Sequence, residues 1–140
     1  MKRVLFAVVA MIFVACNHVE NLPMENTKWN LTELQGAANE VFDDSETFWF
    51  ALDGQGIVGV GACNNFFGGY QLSECGEFRT GGMGMTRMAC PNMDLEDSFV
   101  RIFEVVDGYQ IEGDILTLKQ VDEPIAKFKG EGDFTIASEE

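Results

Sequence analysis

Cys63, Cys75 and Cys90 in the body of the chain, and His18 near its start, are the side chains best suited to nucleophilic, redox or metal chemistry. His18 is the only histidine and precedes the first strand-like segment. A serine or cysteine nucleophile in the domain would therefore have no imidazole base. The three cysteines allow three pairings, each leaving one thiol over. As zinc ligands they would have to converge with a carboxylate, and none belongs to a Cys-x-x-Cys pair. Cys75 is flanked by Glu74 and Glu77 and has no adjacent Lys or Arg of the kind that activates a thiol. Gly54-Gln55-Gly56-Ile57-Val58-Gly59 spells a Gly-x-Gly-x-x-Gly, yet a dinucleotide cradle must open a helix, and these glycines run into β alternation. Asp43-Asp44-Ser45-Glu46 lacks the glycine and spacing of a calcium loop and reads as a solvated loop. The expectation is a domain with no catalytic, metal-binding or cofactor-binding residues, and hence no enzyme.

The elements that would carry these residues are mostly strands. Phe48, Phe50 and Leu52 alternate with Trp49 and Ala51, which predicts a strand buried on both faces, and Asp53-Gly54 turns it into Ile57-Val58-Gly59-Val60. Tyr70 and Leu72 keep the period of two, Ser73 to Glu77 reads as a turn, and Phe78 resumes the strand. Tyr109-Gln110-Ile111 and Ile115-Leu116-Thr117-Leu118, separated by Glu112-Gly113-Asp114, form a further hairpin, followed by Ile125-Ala126-Lys127-Phe128. One segment has a helical period instead: Leu95, Phe99, Ile102, Phe103 and Val106 make an apolar stripe, with Asn92 or Asp94 as cap and Asp107-Gly108 as stop. The fold expected is mainly β (α+β), an antiparallel sheet or incomplete β-barrel covered by one amphipathic helix.

Lys2 and Arg3 followed by the apolar run Val4 to Ala15 read as a secretory signal, too short to span a bilayer. Phe13-Val14-Ala15-Cys16 ends it in the manner of a bacterial lipobox, which predicts cleavage before Cys16 and acyl chains on that cysteine. The divisions expected are a signal peptide at 1–15, a lipidated tether at 16–26 with Pro23, a domain at 27–130 and an acidic C-terminal tail at 131–140. The whole chain carries 9 basic against 23 acidic residues; losing the signal removes two of the basic ones and leaves 7 against 23, a charge of −16. Nucleic acids and anionic headgroups need clustered cations, so such acidity argues against both as partners.

Gly59-x-x-x-Cys63-Asn64-x-Phe66-x-Gly68-x-Tyr70, then Thr86-Arg87-Met88-x-Cys90 and Glu96, resembles the META domain of heat-inducible bacterial lipoproteins. Trp29-Asn30-Leu31 and Ile115-Leu116-Thr117-Leu118 extend the resemblance over about residues 27 to 130. It implies a Cys63–Cys90 disulfide, because these two cysteines lie in the motif segments and Cys75 does not. The motif residues read as structural. Asn64 would be a turn residue bonding local backbone. Gly68 and Gly69 would permit positive φ or close backbone approach. Phe66, Phe67 and Tyr70 could line an apolar pocket but read as core, Thr86 is a further structural motif residue, and Arg87 and Glu96 would pair to orient the helix. The resemblance further implies a non-enzymatic lipoprotein of the cell envelope, anchored in the outer membrane, that binds an envelope protein or an apolar ligand under stress. The alternative is a redox-responsive protein using an unpaired Cys75.

Overall fold

A computed structural model describes residues 20–132 and 134–135. The signal segment, Cys16 and His18 fall outside the described residues, as does most of the acidic tail.

Among the described residues eight strands and one helix follow in the order β1 (Lys28–Leu34), β2 (Trp49–Leu52), β3 (Ile57–Val60), β4 (Asn65–Leu72), β5 (Phe78–Met85), α1 (Met93–Val105), β6 (Gly108–Glu112), β7 (Ile115–Gln120) and β8 (Glu123–Glu131). They form one antiparallel sheet in the spatial order β5-β4-β3-β2-β1-β8-β7-β6. Its two edge strands touch at one end, where Glu77 bridges Gly108, Tyr109 N–H donates to Gly76 O (2.9 Å) and Phe78 N–H donates to Asp107 O (3.3 Å). Beyond that point the edges part. The incomplete barrel and its single helix match the expectation from period and turn chemistry.

The Gly-x-Gly-x-x-Gly stretch is the β2–β3 hairpin: Asp53 Oδ1 accepts from Gln55 N–H (2.8 Å) and Gly56 N–H (2.7 Å), and Gly54 takes φ +84°. The helix lays its stripe into the barrel. Phe99 and Phe103 pack edge-on to each other at 5.5 Å, and Phe103 meets Phe50 and Phe66 at 5.1 Å each. Phe128 approaches Phe50 at 5.0 Å. Trp29, Phe50, Phe78, Phe99 and Phe128 are wholly buried. Such rings contribute area first and edge-to-face geometry second.

The segment read as a tether is partly fixed to the barrel. Leu22 N–H donates to Gly113 O (2.9 Å), Asn26 N–H to Leu52 O (2.7 Å), and Met24 is buried in the core, where its carbonyl accepts from Trp29 Nε1–H (3.1 Å). The structured unit therefore begins several residues before position 27. At the other end Glu131 still belongs to β8, and Phe134 packs on Trp49 at 5.5 Å while its N–H donates to Asn26 O (2.9 Å). Polar composition suggested free chain at both places, and Leu22, Met24 and Phe134 are the apolar side chains that dock it.

Candidate functional site

Glu96 sits on the first turn of α1 and is fully buried. Its carboxylate faces the loop between β3 and β4. Oε2 accepts from the N–H groups of Cys63 and Asn64, both at 2.9 Å, and Oε1 accepts from Asn64 Nδ2 at 2.6 Å. A buried charge is tolerated only with such partners. Burial pushes the Glu96 carboxyl upward, but the bonds from the Asn64 side chain and from the backbone of Cys63 and Asn64 outweigh it and hold the group below its ordinary 4.5.

Asn64 is the centre of the arrangement and is 1% exposed. Its Nδ2 also donates to Met88 O (2.9 Å), and its Oδ1 accepts from Met88 N–H (2.7 Å) and Thr86 Oγ1–H (3.0 Å). Its carbonyl accepts from Gly61 N–H (2.8 Å). Both amide hydrogens and both amide lone pairs are thus in use, the full capacity of the side chain. Thr86 Oγ1 accepts in turn from Asn65 N–H (3.0 Å). Gly61 makes room for the acid: a Cβ there would lie 2.6 Å from Glu96 Cγ.

Cys63 and Cys90 close over this centre as a disulfide with Cα atoms 6.4 Å apart, and Cys75 is free and exposed. The pairing implied by the motif is present. Cys75 stands in the β4–β5 turn, away from the site, so the three cysteines do not converge.

Several of the expected roles differ. Asn64 bonds backbone 24 residues away and a carboxylate 32 residues away, not its own turn. Arg87 and Glu96 form no ion pair, because Glu96 is already saturated by N–H donors. Arg87 instead lines an open cleft of about 430 Å³ between β5 and α1, with Met83, Met85, Asp97, Val100, Arg101 and Glu104. Among the described residues neither Arg87 nor Arg101 has a carboxylate within 4.0 Å. Phe66 is core, but Phe67 points outward, 55% exposed, over Gly84, where an added Cβ would lie 2.7 Å from its ring. Gly68 admits Met83, whose Sδ would lie 2.6 Å from a Cβ there. Tyr70 is half-buried and donates its hydroxyl to Glu25; burial first, then that carboxylate, push its phenol up to about 12.

The sequence reading missed the carboxylate–amide centre itself, although one signal was present. Glu96 occupies positions i and i+3 with Phe99, and i+7 with Phe103, on the apolar stripe. An acid there must be buried and bonded, or the helix cannot dock.

Two solved structures that share this fold are NMR structures. One is of a protein from Burkholderia xenovorans, 22% identical, with 77% of this chain and 83% of that one covered at a TM-score of 0.59. For the other, 24% identical, the cover is 76% and 90% and the TM-score again 0.59. No curated protein matches the sequence closely enough to count as a relative. The META domain model matches residues 21–132, which include the docked segment from Leu22 to Asn26, the disulfide and the whole Asn64–Glu96 centre. By that match the chain belongs to the META domain family.

Proposed function

We infer that this protein is a lipid-anchored envelope protein whose META domain works by binding or scaffolding another envelope protein and performs no catalysis. The observation that carries the reading is the saturation of its polar centre. Asn64, Thr86 and Glu96 spend their hydrogen-bonding capacity on one another and on backbone, so the centre braces the β3–β4 loop against α1 and offers a substrate no free donor. What remains for recognition is surface. The cleft between β5 and α1 combines the thioethers of Met83 and Met85 with Arg87 and Arg101 and with the carboxylates of Asp97 and Glu104, beside a strand edge that has no strand partner among the described residues past the Glu77–Gly108 bridge. An extended peptide segment with aliphatic side chains and charges of both signs suits it. Lys2, Arg3, the apolar run and Cys16 support the anchor. Asn21 Oδ1 accepts from Gly113 N–H (2.7 Å), and five Cα–Cα steps from Cys16 reach at most about 18 Å, so an anchored domain would ride close to the bilayer.

A photo-crosslinking residue at Arg101 tests the reading in intact cells, with one at Val121 in the exposed β7–β8 turn as control. A discrete adduct from position 101 alone is expected. Equal labelling from both positions, or turnover by purified protein that one carboxylate substitution abolishes, would overturn it. The exposed, unpaired Cys75 favours one second reading, a thiol that responds to oxidation by joining another chain. A Cys75-dependent adduct on non-reducing gels after peroxide treatment would support that reading.

A further inference from the structure

The Cys63–Cys90 bridge lies in a sulfur-rich corner. Met93 Sδ is 3.6 Å from Cys90 Sγ, and Met88, two residues before Cys90, is 57% exposed. A Glu96 carboxylate oxygen and the two cysteine sulfurs all lie within 4.8 Å of one another. Both cysteines are only half-buried, so a small dithiol can reach them.

The two segments carrying the cysteines do not depend on the bridge for their placement. Asn64 clamps the Met88 backbone by both N–H and C=O, and Glu96 holds the N–H of Cys63. Reduction therefore leaves the Cα atoms near their 6.4 Å separation. Two thiolates on one metal at about 2.3 Å each sit roughly 4 Å apart, which side-chain rotation alone can supply.

We propose that reduction of this bridge creates a site for one Cu(I) ion, held by the Cys63 and Cys90 thiolates and the Met93 thioether. A dithiol reductant attacks one sulfur, delivers two electrons and departs as its own disulfide, leaving two thiols. The cation then displaces their two protons. Thiolate and thioether donors select a soft monovalent ion. Zinc would require a harder fourth ligand, and Glu96 could serve only by giving up N–H bonds that hold the β3–β4 loop. In the oxidised protein the same sulfurs are bonded to each other, so the disulfide acts as a cover on the site.

The test uses the full chain in detergent micelles with Cys16→Ser and Cys75→Ser, so that Cys63 and Cys90 are its only cysteines. Reduced and oxidised samples are titrated anaerobically with Cu(I) against a chromophoric Cu(I) chelator, with Zn(II) in parallel. Expected is one Cu(I) per reduced chain and none per oxidised chain. Met93→Leu should weaken the site by at least the tenfold that loss of even an outer-shell partner brings. Four results would overturn the proposal: no uptake by the reduced chain, affinity unchanged by Met93→Leu, Zn(II) bound in preference to Cu(I), or a reduced chain that loses its near-UV dichroism and so has no placed cysteines.

Discussion

Glu96 occupies a helix position where the stripe calls for an apolar side chain, and its burial with three N–H donors makes it the most consequential single residue. Glu96→Gln replaces an acceptor oxygen with a donor facing other donors. We expect a loss of roughly 3 kcal/mol, from the charged hydrogen bonds removed and the donors left unsatisfied, measured by urea denaturation at pH 7. The pH dependence follows from the lowered carboxyl. A folded value below the unfolded one means the acid stabilises the fold above the unfolded value and that this stability is lost as pH falls through the folded value. Wild-type stability should therefore decline below about pH 4.5, and the Glu96→Gln variant should lack that component. A variant with the same acid slope as wild type would remove Glu96 from this role. Asn64→Ala should cost at least as much, because it strands the Met88 backbone groups as well as Glu96.

At the scale of elements, the disulfide and the polar centre fix the same two pieces, the β3–β4 loop and the strap entering α1. Loss of the bridge, which closes a separation of 27 residues, should cost roughly 3–4 kcal/mol in the chain-entropy picture and lower the melting temperature by about 10 °C or more. Cys75→Ser should leave the melting temperature unchanged in the same scan. Gly61→Ala should destabilise by about 1–3 kcal/mol, since the new methyl would meet a carboxylate side chain that has nowhere to move. Strands, hairpins and helix were legible because each is specified locally: a period of two with Asp53-Gly54 or Glu112-Gly113-Asp114 between runs, and a stripe from Leu95 to Val106. The Asn64–Glu96 contact was not, because its partners are 32 residues apart and no local period encodes their meeting. Family resemblance put the two residues in one motif, but read Glu96 with Arg87 on charge alone. Opposite sign is a weaker guide than the saturation of a buried acid by N–H groups.

For the whole molecule, the N-terminal segment decides how the domain is closed and where it is held. Met24 belongs to the core and Leu22 packs against it, while the core residue Trp29 donates to the Met24 carbonyl and Tyr70 to the Glu25 carboxylate. Met24→Ala should therefore behave as a core truncation and cost about 2–5 kcal/mol, although the residue lies in what composition marks as linker. A domain begun at residue 27 should melt well below one begun at residue 20. Equal melting points would return residues 20–26 to the role of a free tether. The same docking makes anchoring a sharp test. If acyl chains on Cys16 hold the protein, Cys16→Ser should shift it from detergent-extracted membranes to a form whose N-terminus carries no lipid by mass spectrometry, while the melting temperature stays the same, because the packed segment begins beyond the anchor. An unmodified native N-terminus located elsewhere in the chain would remove the lipid anchor from the account and leave the fold as described.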